Sequence, residues 1–581
     1  MSDIKLHYPY STLPEALMAA EDDAPFVTMW HADDDFETVT FGKFKKMAAG
    51  QAVYLRENGV GLKDTVVLVQ PQGIDLMASF AGALLIGAVP AILAYPTFKV
   101  DPAKYRFGLN GVSANLRARA IVVDEHFPEE LLANLWRGDN TRLLRSVRAE
   151  AADAAGFEVA AINPDDTAFI QHSAGTTGLQ KGVALSHGAV LKHLNRLAEV
   201  LRLTPEDSVY SWLPLYHDMG LIACFMLPMV AHLPLAMQSP TEWVMQPKSM
   251  LEVITKYRST LAWLPNFTYQ FVARRADEYD EKEFDLSSVR ALINCSEPVR
   301  GSSMDEFMAA FKKCKLPPNT LHSCYAMAET VFAVSQSDFG GAGAPVRISA
   351  DSDIFRKEHS VAKSSSEKAF EFVSSGRLVP GTSVRIVSDD GRDLQEGFVG
   401  EIAIKSDAML NGYYNRQDLT EKAVRGGWYF SGDLGFLLDG ELYVVGRKKD
   451  LIIVGGENIY PQDIEEIVSA HPAIHDGRVI ALGLFNTKLG TEEIVIVAEV
   501  REEGSLANAE EIEKTLSNEI VGELAVAARR IYLKPPKWIV KSTAGKPARS
   551  TTREKLLREH PELQILTGET FDDERSNTAT H

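Results

Sequence analysis

Residues 167–201 read TAFIQHSAGTTGLQKGVALSHGAVLKHLNRLAEVL. The opening TAFIQ is a short apolar run of strand character. From near Ser186 the apolar residues of GAVLKHLNRLAEVL recur at helical spacing. Between them lies a loop of small and hydroxylated residues ending in Lys181. The same alternation surrounds this stretch. TVVLVQPQ (65–72) is followed by helical LMASFAGALLIGA, then by the strand-like AVPAILAY (88–95) and ARAIVVDE (118–125). Repeated strand–helix alternation predicts an α/β protein whose large N-terminal domain has parallel-rich sheets covered by helices.

The small residues of the 172–182 loop let the backbone curl with its N–H groups exposed. Hydroxyls add donors and Lys181 adds charge, a combination suited to a polyphosphate. A flexible surface turn has the same composition. A Walker A loop needs Gly before the Lys and Ser/Thr after it, where Gln180 and Gly182 stand. A hydrolase elbow needs G-x-S-x-G, and Gln171 occupies the first position.

At 581 residues the chain predicts at least two domains. A domain of residues 1–446 is expected, with a polar, Ser/Lys-rich insertion at about 340–372 that reads as a surface segment or long loop. Beyond GRKKD (446–450) the pattern changes. PQDIEEIVSA is helical, GRVIALGLF and EEIVIVAEV are strands, and residues 509–530 read as one long amphipathic helix. A small, mobile α+β domain over 447–581 is expected, its last fourteen residues polar and disordered.

The 45% hydrophobic and 24% charged residues are those of a soluble globular chain. Met77–Tyr95 approaches membrane-span length, but Gly82, Gly87 and Pro90 interrupt it and fit a buried helix followed by a strand. The first residues lack a basic start followed by an apolar core, so secretion is not expected. Cys224, Cys295, Cys314 and Cys324 show no paired spacing, which predicts neither disulfides nor zinc and makes the cytoplasm the default. His471 and His475 flank Pro472, which favours helix-end chemistry over metal ligation. A net charge of −19 disfavours nucleic-acid binding, and an anionic substrate would need basic groups gathered locally.

SAGTTGLQKG (173–182) resembles the signature loop of the adenylate-forming superfamily, which includes acyl-CoA synthetases, luciferases and peptide-synthetase adenylation domains. Further motifs follow in that family's order: YAMAET (325–330), YFSGDLG (429–435), GRKKD (446–450) and STAGK (542–546). The resemblance implies ATP and Mg²⁺ as cofactors, and a carboxylic acid joined to AMP with loss of pyrophosphate.

It places the phosphates at Ser173, Gly175, Thr176, Thr177, Gly178 and Lys181, and adenine along Ser296, Glu297 and Pro298 with Tyr325 stacked on the base. Ala326, Met327 and Thr330 complete that segment, Ala326 standing where the family usually has Gly. Glu329 would hold Mg²⁺, Asp433 the ribose hydroxyls, and Arg447 the ribose or phosphate. Lys546 would be catalytic, offsetting the repulsion between the carboxylate and the α-phosphate. Lys449 would be the hinge about which the small domain turns.

SWLPLYHDMGLI (211–222), LPNFTYQF (264–271), NCSEPVR (294–300) and YPQDIE (460–465) resemble the fatty acyl-AMP ligases in particular. In that branch the segment near 345–372 restrains the hinge, and the acyl group passes to the phosphopantetheine thiol of an acyl carrier protein. His217 would orient the carboxylate, or be an ordinary core histidine; Trp212, Met219, Asn266 and Phe267 would line the acyl site. TTG (176–178) and GGEN (455–458) look more like acyl-CoA synthetases, so coenzyme A stands as the alternative acceptor. A non-catalytic nucleotide- or acyl-binding protein is the reading from another class. Lys537, Lys541, Arg549, Arg553 and Lys555 would form a basic docking face for an acidic carrier, or a solvated surface.

Overall fold

The computed structural model describes residues 8–567 apart from 32–34, 97–101, 133–134, 136–137, 139, 148–156, 173–180, 340–344, 352–354, 356–359, 362–368, 455–456, 525 and 542–545. Two parallel-rich sheets form its larger part. One has four strands, all parallel, in the order Val89–Ile92, Thr65–Val69, Ala120–Val123, Arg142–Arg145. Thr65–Val69 is buried at every position, which is why it reads as an unbroken apolar run rather than an alternating one. The other sheet has nine strands. Six of them run parallel through its middle, from Leu321–Ala326 by way of Ala291–Asn294, Leu261–Leu264, Val209–Ser211 and Leu235–Met237 to Pro25–Trp30.

The helix Ile74–Leu85 is apolar all round because it is enclosed, with eleven of its residues buried. It crosses Phe41–Glu57 so closely that a Cβ on Gly82 would lie 2.7 Å from the Ala48 carbonyl oxygen. Met77–Tyr95 is thus a helix, a turn and the strand Val89–Ile92. Among the described residues no helix is long and apolar enough to cross a membrane. The four cysteines are buried, and none of them is in a disulfide.

The fold departs from the sequence expectation at three places. Thr167–His172 does not lead straight into a helix: it pairs antiparallel with Gly182–Ser186, and the helix His187–Leu201 follows with Ser186 as its cap. The segment near 340–372 is not merely a surface loop. Arg347–Asp351 and Ala369–Val373 form an antiparallel ribbon whose Phe355 is buried against Phe372 and Tyr460, at ring separations of 4.8 and 5.4 Å. Finally, the predicted helix over 509–530 ends at Leu524. Ala528–Lys534 is a strand, because pairing with Thr491–Val500 outweighs the helical preference of Ala and Arg.

The C-terminal part has cores of its own. Ile474–Asn486, Thr491–Val500 and Ala528–Lys534 form a sheet with an apolar cluster on each side. Pro461–Ala470 and Ala509–Leu524 cover one face, and Arg549–Glu559 and Pro561–Thr567 the other.

Candidate active site

The nine-stranded sheet delivers three site segments at the ends of neighbouring strands. Ala291–Asn294 leads to Cys295–Pro298, Leu321–Ala326 ends in Tyr325 and Ala326, and Val209–Ser211 leads to Trp212–Met219. This is where open α/β sheets bind ligands. At the third segment His217 Nδ1 lies 2.7 Å from Asp218 Oδ1, and Asp218 Oδ1 accepts the Met219 N–H at 2.8 Å. The π-helical turn Met219–Met226 starts there. Gly220 is required: a Cβ would sit 2.3 Å from the Pro214 carbonyl oxygen. Burial alone would raise the Asp218 pKa. The charge of His217, hydrogen bonds from His217 and the Met219 N–H, and the charge of Lys546 together hold it below the ordinary value.

Lys546 arrives from the C-terminal part, 250 residues from its acceptor, and donates to the Ser296 carbonyl. Ser296 has φ +73°, an uncommon conformation for a residue with a side chain, and its hydroxyl lies 3.6 Å from Met219 Sδ. Ion pairs hold the two parts in this pose. Arg274 Nη1 meets Asp476 Oδ2 at 2.6 Å, and Arg300 pairs with Glu466 while donating to the Gln462 carbonyl at 3.3 Å.

The strand pair Trp428–Leu438 and Glu441–Arg447 sets Asp433 opposite Arg447. Arg447 Nε is 3.1 Å from Asp433 Oδ1, and the Tyr325 hydroxyl donates to Asp433 Oδ2 at 2.6 Å. Burial pushes the Asp433 carboxyl above its usual pKa, with Arg447 and Tyr325 opposing. Glu329 Oε1 accepts from the Tyr413 hydroxyl at 2.8 Å, and Lys181 Nζ sits 4.9 Å from the centre of the Tyr413 ring. Val331, two residues after Glu329, has φ +66° and ψ −59°, a strained γ-turn geometry for a β-branched residue. Met327 N–H and Thr330 Oγ1 both donate to the Phe332 carbonyl and fix this corner.

Of the acyl-site expectations, Trp212 is buried and stacks on Trp243 at 3.8 Å and 7°, and Phe267 meets both rings edge-on at 6.0 Å. Asn266 is different: its amide is committed to the scaffold, donating to Ser303 Oγ and accepting from Asn294 Nδ2 and the Arg300 N–H. Glu297 likewise accepts the Phe267 N–H at 2.9 Å, at the start of helix Asn266–Ala273. Lys449 is exposed in the short turn Lys448–Asp450. Ser173, Gly175, Thr176, Thr177 and Gly178 lie outside the described residues, as do 542–545 beside Lys546.

Asp218, Tyr413, Tyr429 and Trp243 enter the site without having been assigned a role from sequence. The Asp218 signal was present, beside His217; Tyr413 stands 84 residues from Glu329 and offered none. The expected basic docking face loses a member. Arg549 is half-buried, pairing with Glu465, facing Asp450 at 3.8 Å and donating to the Ala481 carbonyl, while Lys555 donates to the Trp538 carbonyl and lies over its ring.

A protein-family model described as AMP-binding enzyme matches residues 15–414, over two thirds of the chain. The chain is 29% identical to the medium-chain-fatty-acid–[acyl-carrier-protein] ligase JamA of Moorena producens, over 91% of each protein. It is 26% identical to a probable long-chain-fatty-acid–AMP ligase, FadD30, of Mycobacterium tuberculosis, over 93% of this chain and 96% of that one. Among solved structures, one from a study of fatty acyl-adenylate ligases of E. coli and L. pneumophila superposes with a TM-score of 0.87. It is 28% identical, covering 96% of this chain and 99% of its own.

Proposed function

Since the chain belongs to the AMP-binding enzymes, a family that uses ATP, we propose that it activates a fatty carboxylic acid as acyl-AMP, releasing pyrophosphate. It then passes the acyl group to the phosphopantetheine thiol of an acyl carrier protein. The observation that carries this reading is the meeting of Lys546 with the Ser296 carbonyl beside the His217–Asp218 pair. A cation from a separate unit stands at the place where two anions, carboxylate and α-phosphate, must approach. In-line displacement needs little covalent help, so positioning and fixed charge dominate.

Asp433 accepts the ribose hydroxyls, with Arg447 and Tyr325 fixing its two oxygens beforehand. Arg447 contacts the ribose or phosphate. Lys181 and the loop before it hold the triphosphate. His217, oriented through Nδ1 by Asp218, presents its other nitrogen to the acyl carboxylate. The Trp212–Trp243–Phe267 cluster lines the apolar end of the acyl site. The domain boundary falls at 446/447, with Lys449 as the hinge, and the cytoplasm is the place of work.

Mg²⁺ fits the residues present. Among the described residues no three carboxylate, His or Cys side chains gather as a cage. Mg²⁺ keeps waters and takes phosphate oxygens, needing only one or two protein carboxylates, and Glu329 would supply one. Held there, the ion would offset negative charge on the triphosphate.

Two features favour a carrier thiol over coenzyme A. The relative JamA is named a ligase to acyl carrier protein. The Arg347–Asp351/Ala369–Val373 ribbon packs Phe355 on Tyr460, tying the larger part to the start of the C-terminal one, and such a tie restrains the swing that thioester formation requires. The test is purified enzyme with ATP and a panel of acids, followed by mass analysis with coenzyme A or a phosphopantetheinylated carrier added. Acyl-AMP that persists with coenzyme A and is consumed by the carrier is expected. Rapid acyl-CoA formation overturns the choice of acceptor, and no acyl-AMP with any acid overturns the activity.

A further inference from the structure

Gly412–Tyr413 is a two-residue strand that pairs antiparallel with Gly182–Ser186. Its register sets Tyr413 against Val183, and the Tyr414 N–H donates to the Gly182 carbonyl at 2.8 Å. The phosphate loop ends in Lys181, immediately before that strand. Just ahead of Tyr413, the Leu410 N–H donates to the Glu329 carbonyl at 2.9 Å. One short segment is therefore bonded through its backbone to both sides of the proposed phosphate site. The side chain of Tyr413 touches both charged groups: the hydroxyl donates to Glu329 Oε1, and the ring face lies under Lys181 Nζ.

We propose that Tyr413 is a positioning residue that couples the metal-holding carboxylate to the phosphate-holding lysine. Donation to Oε1 fixes the rotation of the Glu329 carboxylate and turns Oε2 outward for a cation. The electron-rich ring face attracts the Lys181 ammonium and holds it over the cleft before ATP arrives. Tyr413 is 4% exposed, so water has little access to replace Glu329 as the partner of its hydroxyl. The Tyr429 hydroxyl lies 3.4 Å from that of Tyr413 and closes the other side of the pair. A purely structural tyrosine would need neither the carboxylate nor the ammonium.

The inference rests on the assignment of Glu329 to Mg²⁺, so its test carries a variant for each. Mn²⁺ binding in the presence of ATP, without acid, is measured by electron paramagnetic resonance for the full-length wild type, Glu329→Gln, Tyr413→Phe and Tyr413→Leu. Tyr413→Phe keeps the ring and removes the donor. It is expected to weaken Mn²⁺ about tenfold while leaving Tm nearly unchanged, as loss of a partner behind a metal ligand does. Tyr413→Leu also removes the ring face, and should raise the KM for ATP about two- to fivefold beyond Tyr413→Phe. Weakened Mn²⁺ binding in Glu329→Gln with wild-type binding in Tyr413→Phe overturns the role of Tyr413 alone. Wild-type binding in both overturns the metal assignment, and this inference with it. Equal KM values in Tyr413→Phe and Tyr413→Leu overturn the link to Lys181.

Discussion

Replacing Phe355 by Ala should convert part of the acyl-AMP output into acyl-CoA. Phe355 is buried in the cluster of Ala350, Val361, Leu434, Phe436, Tyr443 and Tyr460, and its ring contact with Tyr460 reaches past the proposed hinge. Truncating a buried Phe costs about 3–5 kcal/mol of local stability. Most of that falls on the ribbon, which a two-pronged Arg347–Asp305 pair, both contacts 2.7 Å, still anchors to helix Gly301–Phe311. The share that crosses to the C-terminal part is one aromatic pair, about 0.5–1.5 kcal/mol. At 1.36 kcal/mol per decade, that makes the swung-out pose about two- to tenfold more populated. The assay measures acyl-CoA formed per acyl-AMP in the presence of ATP, acid and coenzyme A, with Phe355→Leu as the control that keeps most of the apolar packing. The ratio should rise by that factor while pyrophosphate release without acceptor stays at the wild-type rate. An unchanged ratio in a folded variant would refute the idea that this contact restrains the swing.

Three further outcomes are expected. Asp218→Asn removes the charge that orients His217 and faces Lys546, and should slow acyl-AMP formation about tenfold in single-turnover assays while leaving Tm close to wild type. Because burial raises the Asp433 pKa in the folded protein, its carboxylate is lost on acidification earlier than an ordinary Asp would be. kcat/KM for ATP should therefore fall on the acid side at a pH above the usual carboxylate range, and Asp433→Asn should abolish that limb along with most of the activity. Gly220→Ala forces a methyl onto the Pro214 carbonyl and should cost about 1–3 kcal/mol, read as a lowered Tm together with slower adenylation.

Much of the site could be read from the chain because its motifs are local. The spacing of YFSGDLG and GRKKD lets a two-strand register bring Asp433 and Arg447 together, and YAMAET carries Tyr325 and Glu329 on one strand end. The alternation around 65–125 reads as a parallel sheet because its strands are enclosed on both faces. What escaped depends on partners distant in sequence. The link from Tyr413 to Glu329 exists only once Gly412–Tyr413 has paired with Gly182–Ser186. The inward turn of Arg549 depends on Glu465 and the Ala481 carbonyl. Residues 528–530 look helical until a neighbouring strand takes up their hydrogen bonds. The ribbon near 340–372 is polar in composition, and its few aromatics become informative only when Phe436, Tyr443 and Tyr460 meet them.

The most direct test is pyrophosphate release by Lys546→Ala, measured beside its Tm. An oriented cation acting on the reacting oxygens supplies about 10²–10³ in rate. The variant should retain the wild-type Tm and bind ATP, yet release pyrophosphate at least a hundredfold more slowly with the preferred acid. Release at the wild-type rate from a folded Lys546→Ala protein would contradict the claim that this lysine crosses from the C-terminal unit to drive adenylation.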